Sequence, residues 1–174
     1  MTVTGVVAGV VDSVLDRAIA PGYSVVGFNA RKHFWPADAP AGALRGRVAV
    51  VTGANSGLGK AAAVGLAELG AAVRLVVRDT AKGDKAREDV LAAVPGADVR
   101  VDRCDVSDLV DVRKFAEGFD GPLDVLVHNA GVLPPKRMET DQGHEVALAT
   151  AVLGPFLLTD LLSPALRASA DGRV

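Results

Sequence analysis

The spacing of apolar residues changes at about residue 46. Before it, apolar side chains recur at every fourth position in two adjacent series, Val6, Val10, Val14, Ala18 and Val7, Val11, Leu15, Ile19. This spacing predicts an amphipathic helix that ends at Pro21 and Gly22, and the prolines and glycines of residues 35–46 predict a linker. Residues 1–46 are therefore expected to form an N-terminal amphipathic helix and linker.

Two environments are compatible with this helix. It could pack on its own domain or on a partner, or it could lie on a membrane surface. Its polar face carries Asp12, Asp16 and Arg17 and is therefore not basic, which weighs against the membrane.

From residue 47 onward, short apolar runs alternate with stretches of helical periodicity. Strands are predicted at residues 47–52, 72–77, 98–103 and 123–128. Helices are predicted at residues 58–69, 80–94, 109–119 and 142–163. Four βα units in succession predict an α/β fold, a doubly wound parallel sheet with right-handed crossovers, over residues 47–174.

Several details of these helices are further expectations. The first helix is expected to align three apolar side chains on one face, Leu58, Ala62 and Leu66. Ser107 is the candidate cap of the third helix. The last helix is apolar nearly all round over residues 146–162, so burial is expected, with a kink at Pro155 and an end at Pro164.

The first strand leads into a glycine-rich turn that opens a helix, which is how proteins cradle the pyrophosphate of a dinucleotide. Gly53 permits the tight turn, Gly57 lets phosphates approach the backbone, and Gly59 lets helix and strand pack closely. The Ser56 hydroxyl can donate to a phosphate that the first amides of the helix also face. A purely structural turn is the alternative. The candidate phosphate-binding residues are Gly53, Asn55, Ser56, Gly57, Leu58 and Gly59.

The end of the second strand indicates which cofactor is used. Proteins that bind NAD place a carboxylate here for the ribose 2′-hydroxyl, whereas those that bind NADP place an arginine nearby. This chain has Val77 at the expected carboxylate position, followed by Arg78 and Asp79. We interpret Arg78 as a ligand of the 2′-phosphate and favour NADP(H) over NAD(H). The alternative is that Arg78 is a surface arginine paired with Asp79. Because Asp79 is itself a carboxylate, NAD(H) also remains an alternative.

Two further groups of residues follow later strands. Asp105, after the third strand, is a candidate ligand of the adenine amino group, with Val106 beside it; the alternative is that Asp105 only helps to start the next helix. Asn129, Ala130 and Gly131 close the fourth strand. Asn129 fits a structural latch on the sheet better than a reactive group, and Gly131 allows the cofactor to approach.

Together these residues resemble the short-chain dehydrogenase/reductase family. The series Thr52-Gly53-x-x-x-Gly57-x-Gly59 matches its nucleotide motif and Asp105 its adenine-binding aspartate, while His128-Asn129-Ala130-Gly131 matches its Asn-Asn-Ala-Gly motif with His128 in the first place. The resemblance covers residues 47–174. It implies a Rossmann-like NAD(P)-binding domain and an oxidoreductase that acts on CH–OH donors, interconverting small-molecule alcohols and carbonyl compounds.

Within the family, Val77-Arg78-Asp79 followed by Lys82-Gly83 is similar to the retinol-dehydrogenase branch, which generally uses NADP. Gly22-Tyr23 and the stretch Lys136-Arg137-x-Glu139-Thr140 are similar to dehydrogenase/reductase family member 12.

The resemblance also implies a Tyr-x-x-x-Lys pair, a serine, and an asparagine that supports a proton-relay water. The only tyrosine is Tyr23, which lies upstream of the glycine turn and has Gly27 four positions after it. The place of the asparagine holds Ala151, and the chain ends at Val174, before the serine would occur. We therefore assign no catalytic residue, and expect a C-terminally incomplete, truncated domain that is inactive alone. The alternative is a non-catalytic NADP(H)-binding pseudoenzyme or interaction module.

The composition of the chain limits the classes of ligand and partner that are expected. A formal net charge of −2 gives no sign of nucleic acid, and the one cysteine, Cys104, excludes an internal disulfide or a multi-cysteine metal site. The three histidines lack metal-ligand spacing, and no membrane span is expected. The expected location is the cytoplasm. An open sheet edge beside an apolar last helix makes that helix the candidate contact of a homo-oligomer.

Overall fold

The computed structural model describes residues 3–174, except the side chains of residues 3–6, 8, 19 and 21. The chain divides into two compact units, Met1–Ala39 and Pro40–Val174. The division falls within the predicted linker.

In its described part, residues 3–39, the first unit contains three helices where the sequence predicted one: α1 (Val3–Arg17), α2 (Ile19–Gly22) and α3 (Val25–Lys32). Arg31 of α3 joins α1 through ion pairs with Asp12 at 2.6 Å and Asp16 at 2.7 Å. The predicted apolar face is exposed in one of its two series, since Val10 and Val14 are each 59% exposed, whereas Val11 and Leu15 of the other series are half-buried. The side chains of Val6 and Ile19 lie outside the described residues.

The second unit alternates strands and helices as predicted. Its strands are β1 (Val48–Thr52), β2 (Ala72–Val77), β3 (Val99–Arg103) and β4 (Val125–Val127). Its helices are α4 (Gly57–Glu68), α5 (Thr80–Ala93), α6 (Leu109–Glu117), α7 (Val146–Leu148) and α8 (Gly154–Ala168), with a π-helical turn at Ala149–Leu153 between the last two. The predicted boundaries hold to within a few residues, except at the last helix, which begins at Val146 instead of residue 142.

The four strands are parallel and lie in the order β3-β2-β1-β4, so the doubly wound α/β prediction is confirmed. Two hydrophobic clusters cover the two faces of the sheet, as expected for parallel strands buried on both sides. Alternate residues of β1 divide between them, with Val51 in the cluster that includes α4 and α5 residues and Val50 in the cluster that includes α6 and α8 residues. A further parallel bridge joins Val125 to Arg173 beside β4.

Two predictions about the middle helices were wrong. Leu58 is 83% exposed, and the inner face of α4 instead carries small residues one position later, Gly59, Ala63 and Ala67. Small side chains face the sheet because they let the helix approach it closely. The cap of α6 is Asp108, whose carboxylate accepts from the Val110 amide at 2.9 Å, and Ser107 is engaged elsewhere.

The last helix differs from prediction in its end and in its burial. It continues through Pro164 to Ala168, and Pro155 occupies its first turn directly after the π-helical turn. Leu158 and Leu162 are buried, but Phe156 is 77% exposed, so the expected burial on all sides was wrong. The hydroxyl of Thr159 donates to the Pro155 carbonyl at 2.8 Å within this helix.

Within the described residues, the helical stretch Val146–Ala168 is long and apolar enough to cross a membrane, with a mean hydropathy of 1.8. No such segment was expected from the sequence. The finding is weak evidence for a span, because a core helix of a soluble protein passes the same test and this helix contributes Leu158 and Leu162 to the core.

Candidate cofactor site

A cavity of about 470 Å³ opens at the carboxyl ends of the strands. The chain runs from β1 through β2 to β3 on one side of the sheet and then returns to β4 on the other side of β1. Such a switch point is where open α/β sheets bind ligands, and the volume is that of a small-molecule pocket. The lining residues are Gly53, Asn55, Ser56, Val76, Val77, Arg78, Asp79, Lys82, Cys104, Asp105, Val106, Ser107, Asn129, Ala130, Gly131, Val132 and Thr150.

The glycines of the first turn have the geometry that the sequence predicted. Gly53 has a φ of +66°, and a Cβ there would lie 2.8 Å from the Cα of Ala130. A Cβ on Gly59 would lie 2.6 Å from the carbonyl oxygen of Gly53 and would overlap the side-chain amide of Asn129. Gly57, with a φ of +55°, faces open space, so an anion can approach its backbone.

The amino end of α4 is left available to an anion. Its N-cap, Ser56, makes no side-chain capping bond, whereas Asp79 and Asp108 cap α5 and α6 through their carboxylates. An uncapped helix start presents free amides and the positive end of the helix dipole. The Ser56 side chain lines the cavity and can donate to the same anion.

Two cations and one carboxylate lie at the end of β2. Arg78 is exposed and lines the cavity, and among the described residues no ion pair joins it to a carboxylate. Asp79 instead accepts from the Lys82 amide at 3.2 Å as the cap of α5, with the Lys82 ammonium 3.7 Å from its other oxygen. The alternative in which Asp79 neutralises Arg78 therefore finds no contact in this structure.

The loop after β3, residues Cys104–Ser107, also lines the cavity and is called the adenine loop below, because Asp105 is the predicted ligand of adenine. Within it, Asp105 Oδ1 accepts from the Ser107 amide at 2.9 Å and from the Ser107 hydroxyl at 2.6 Å. Asp111, reaching up from α6, accepts from the Asp105 amide at 3.2 Å and from Arg103 at 2.6 Å. The Asp105 carboxylate therefore stabilises the shape of the loop, and the Asp111 carboxylate fixes the loop to α6.

Asn129 is the latch that the sequence predicted. Its side-chain amide donates to the carbonyl oxygens of Thr52 at 3.0 Å and Gly53 at 3.3 Å. The Thr52 hydroxyl accepts in turn from the backbone amides of Asn129 and Ala130, each at 3.1 Å. These bonds tie the end of β4 to the start of the glycine turn, across the floor of the cavity.

Two further titratable side chains are Cys104, which is buried and lines the cavity, and His128, which is half-buried and directly precedes Asn129. Burial raises the pKa of the Cys104 thiol to about 12, and the nearby Asp111 carboxylate adds to the effect, so the residue is a neutral thiol in the core. Burial lowers the pKa of His128, whose Nε2 is 2.8 Å from the Thr159 hydroxyl. In the part of the chain that the structure describes, no cluster of acidic, histidine or cysteine side chains could hold a metal ion.

Nine of the twelve predicted cofactor-binding residues line the cavity. The other three, Gly57, Leu58 and Gly59, belong to the first turn of α4, and Leu58 points into solvent. For Leu58 only the backbone amide can serve a phosphate.

Lys82 and Thr150 also line the cavity, and neither was predicted from the sequence. Lys82 lies in the first turn of α5, and a second cation close in sequence to Arg78 was a signal that could have found it. Thr150 reaches the cavity from the π-helical turn, in which Ala151 is exposed; we see no sequence signal for that turn.

Comparison with known proteins agrees with this geometry. Residues 47–174 match the family model described as short chain dehydrogenase. Retinol dehydrogenase 12 of Bos taurus is 43% identical over 134 residues, which cover 75% of this chain and 42% of that protein. Dehydrogenase/reductase SDR family member 13 of Homo sapiens is 43% identical over 136 residues, covering 76% of this chain and 36% of that protein.

A solved structure with the same fold is a metagenomic short-chain oxidoreductase in complex with NADP, with a TM-score of 0.65 and 35% identity. It covers 75% of this chain and 61% of that chain. The chain spans less than half the length of the curated relatives described above.

Proposed function

The chain belongs to the short-chain dehydrogenase/reductase family, in its retinol-dehydrogenase-like branch, and from this premise we propose that it is the NADP(H)-binding part of an oxidoreductase. The proposed reaction interconverts an alcohol and a carbonyl compound of small size. When bound, the nicotinamide cofactor would accept or supply the hydride. The residues of this chain would bind and orient that cofactor.

One observation carries the preference for NADP(H). Arg78 lies at the cavity wall, beyond the end of β2, with no carboxylate partner among the described residues. Lys82 lines the same cavity. A guanidinium and an ammonium together favour a dianionic 2′-phosphate over the neutral hydroxyl of NAD(H). The NADP complex of the metagenomic relative supports the same choice.

The other predicted residues would bind different parts of the cofactor. The amides at the start of α4 and the Ser56 hydroxyl would hold the pyrophosphate. Asp105 Oδ2, which accepts no hydrogen bond from the described residues, would accept from the adenine amino group. Gly131 leaves the backbone open where the nicotinamide ribose would pass. The open space at Gly57 and the missing capping bond at Ser56 are the structural signs that these residues fit a dinucleotide.

The 174 residues are proposed to bind NADP(H) without turnover. The family chemistry needs a Tyr-x-x-x-Lys pair, and the only tyrosine in this sequence is Tyr23, in the first unit. A non-catalytic NADP(H)-binding module is the second candidate, favoured by Ala151 in the place of the relay asparagine. Both candidates require the same cofactor site.

Titration of the chain with NADPH, followed by the fluorescence of the reduced nicotinamide, tests this function. We expect saturable binding that adenosine 2′,5′-bisphosphate displaces, with no oxidation of NADPH in the presence of aldehydes or retinoids. Absence of binding by a folded chain would overturn the proposal, and turnover by these 174 residues would overturn its second part.

A further inference from the structure

The adenine loop is supported from two sides. From below, the Asp111 carboxylate holds the Asp105 amide at 3.2 Å. The loop also packs against Gly154, the first residue of α8. The contact is close: a Cβ on Gly154 would overlap the carbonyl oxygen of Val106 and lie 3.0 Å from its carbonyl carbon. Val106 itself lines the cavity. Gly154 is buried and does not line it.

The glycine at this position is required by space and not by backbone conformation. Gly154 has φ −62° and ψ −53°, values that any residue adopts in a helix. A glycine there costs about 1 kcal/mol relative to alanine in helix propensity. Glycine is nevertheless present at position 154, where the Cβ of any other residue would collide with the adenine loop.

The π-helical turn brings Gly154 to this contact. The Gly154 amide donates to the carbonyl of Ala149, five residues earlier, instead of the α-helical four. The extra residue in the turn places Thr150 in the cavity wall and leaves Gly154 facing Val106. A π-helical turn inside an otherwise α-helical segment is frequent at functional sites.

We propose that Gly154 is a positioning residue for the adenosine half of the cofactor, acting through the backbone of Val106. The inference rests on the proposed function. A side chain at position 154 displaces the adenine loop and with it the Asp105 carboxylate, while the glycine turn and the Asn129 latch, which contact other elements, keep their places.

The test compares Gly154→Ala with Gly65→Ala, because Gly65 is a helical glycine whose added Cβ would meet nothing within 4 Å. Adenosine 2′,5′-bisphosphate is the probe, since it carries only the adenosine half. We expect Gly154→Ala to weaken this probe and NADPH by the same factor, at least about fivefold, at a temperature where both variants are folded. The Gly65→Ala control should bind like the wild type.

Unchanged affinity of a folded Gly154→Ala variant for adenosine 2′,5′-bisphosphate would overturn the inference, because a merely structural glycine changes stability and not the affinity of the folded molecule. If that variant does not fold, the amide resonances of the wild-type chain, measured by NMR, test the proposal instead. Saturation with adenosine 2′,5′-bisphosphate should then shift the Gly154 amide although Gly154 does not line the cavity, and an unshifted resonance would contradict the proposal. Failure of the wild type to bind either ligand would instead refute the proposed function.

Discussion

Asn129 and Thr52 are joined by two hydrogen bonds, both donated by Asn129, which lies just after β4, to Thr52 at the end of β1. The Asn129 side-chain amide donates to the Thr52 carbonyl at 3.0 Å, and the Asn129 backbone amide donates to the Thr52 hydroxyl at 3.1 Å. Both acceptors precede the glycine turn directly. The latch therefore couples the stability of the sheet to the shape of the cofactor site.

Replacing Asn129 with alanine removes the side-chain donor and leaves the Thr52 and Gly53 carbonyl oxygens without it. We expect the free energy of unfolding to fall by about 1–3 kcal/mol, the cost of unsatisfied polar groups that are partly buried. Chemical denaturation measures this change. Asn29→Ala, at an exposed position of α3, should leave it nearly unchanged. Equal stability of the two variants would show that the latch is not a structural support.

An alanine at Gly59 should disturb the packing of α4 on the sheet. Its Cβ would lie 2.6 Å from the Gly53 carbonyl oxygen, so the helix must move away. We expect a loss of about 1–3 kcal/mol in the free energy of unfolding, typical of overpacking, together with weaker NADPH binding. Gly65→Ala in the same helix is the matched control and should be neutral or slightly stabilising. A Gly59→Ala variant as stable as this control would contradict the close approach.

Asp124 gives the fold a dependence on acid pH. It is 5% exposed, and burial by itself would raise its pKa. The Ser169 hydroxyl and the Val48 amide donate to its carboxylate, and Arg47 forms an ion pair with it at 2.6 Å. These bonds outweigh burial and hold the pKa of Asp124 below the usual value for an aspartate.

Because the folded-state pKa is depressed, the stabilisation by Asp124 is complete at neutral pH and is lost as the pH falls through that pKa. An aspartate in the unfolded chain titrates near about 3.9, so the loss begins below about pH 5. The difference in free energy of unfolding between wild type and Asp124→Asn should therefore shrink on acidification. Asp120→Asn, at an exposed position, serves as control. A difference that does not vary with pH would contradict this role.

Removing Arg78 should weaken NADPH binding selectively. Arg78→Ala is expected to cost about 1–3 kcal/mol of NADPH affinity, the scale of lost charge-assisted hydrogen bonds, and to leave NADH binding nearly unchanged. Arg100→Ala removes an arginine side chain that is 75% exposed and does not line the cavity, and should change neither affinity. Calorimetric titration provides both values. Equal loss for the two cofactors in Arg78→Ala would refute the 2′-phosphate contact.

The sequence predicted the sheet and most of the cofactor site because both depend on local signals. Strand, glycine turn and helix start follow one another within twelve residues at β1, and the end of β2 places Arg78 without knowledge of distant residues. Spacing alone failed where a helix face is chosen by its neighbours. Leu58 has the right period for the core, but the close approach of α4 selects Gly59 and its small successors.

Contacts between distant segments were beyond prediction for a physical reason. The support of the adenine loop by Gly154 depends on a π-helical turn that changes the register of the helix by one residue. Helical propensity does not encode that turn, so neither Thr150 in the cavity wall nor the Gly154 contact could be inferred. Pro164 predicted the end of the last helix, but the helix continues past it to Ala168.

The dissociation constants of the wild-type chain for NADPH and NADH, measured under the same conditions, test the central claim most directly. The account predicts that NADPH binds at least about tenfold more tightly, because the 2′-phosphate gains charge-assisted bonds from Arg78 and Lys82. Equal affinity, or tighter binding of NADH, would contradict the assignment of this cavity as an NADP(H) site.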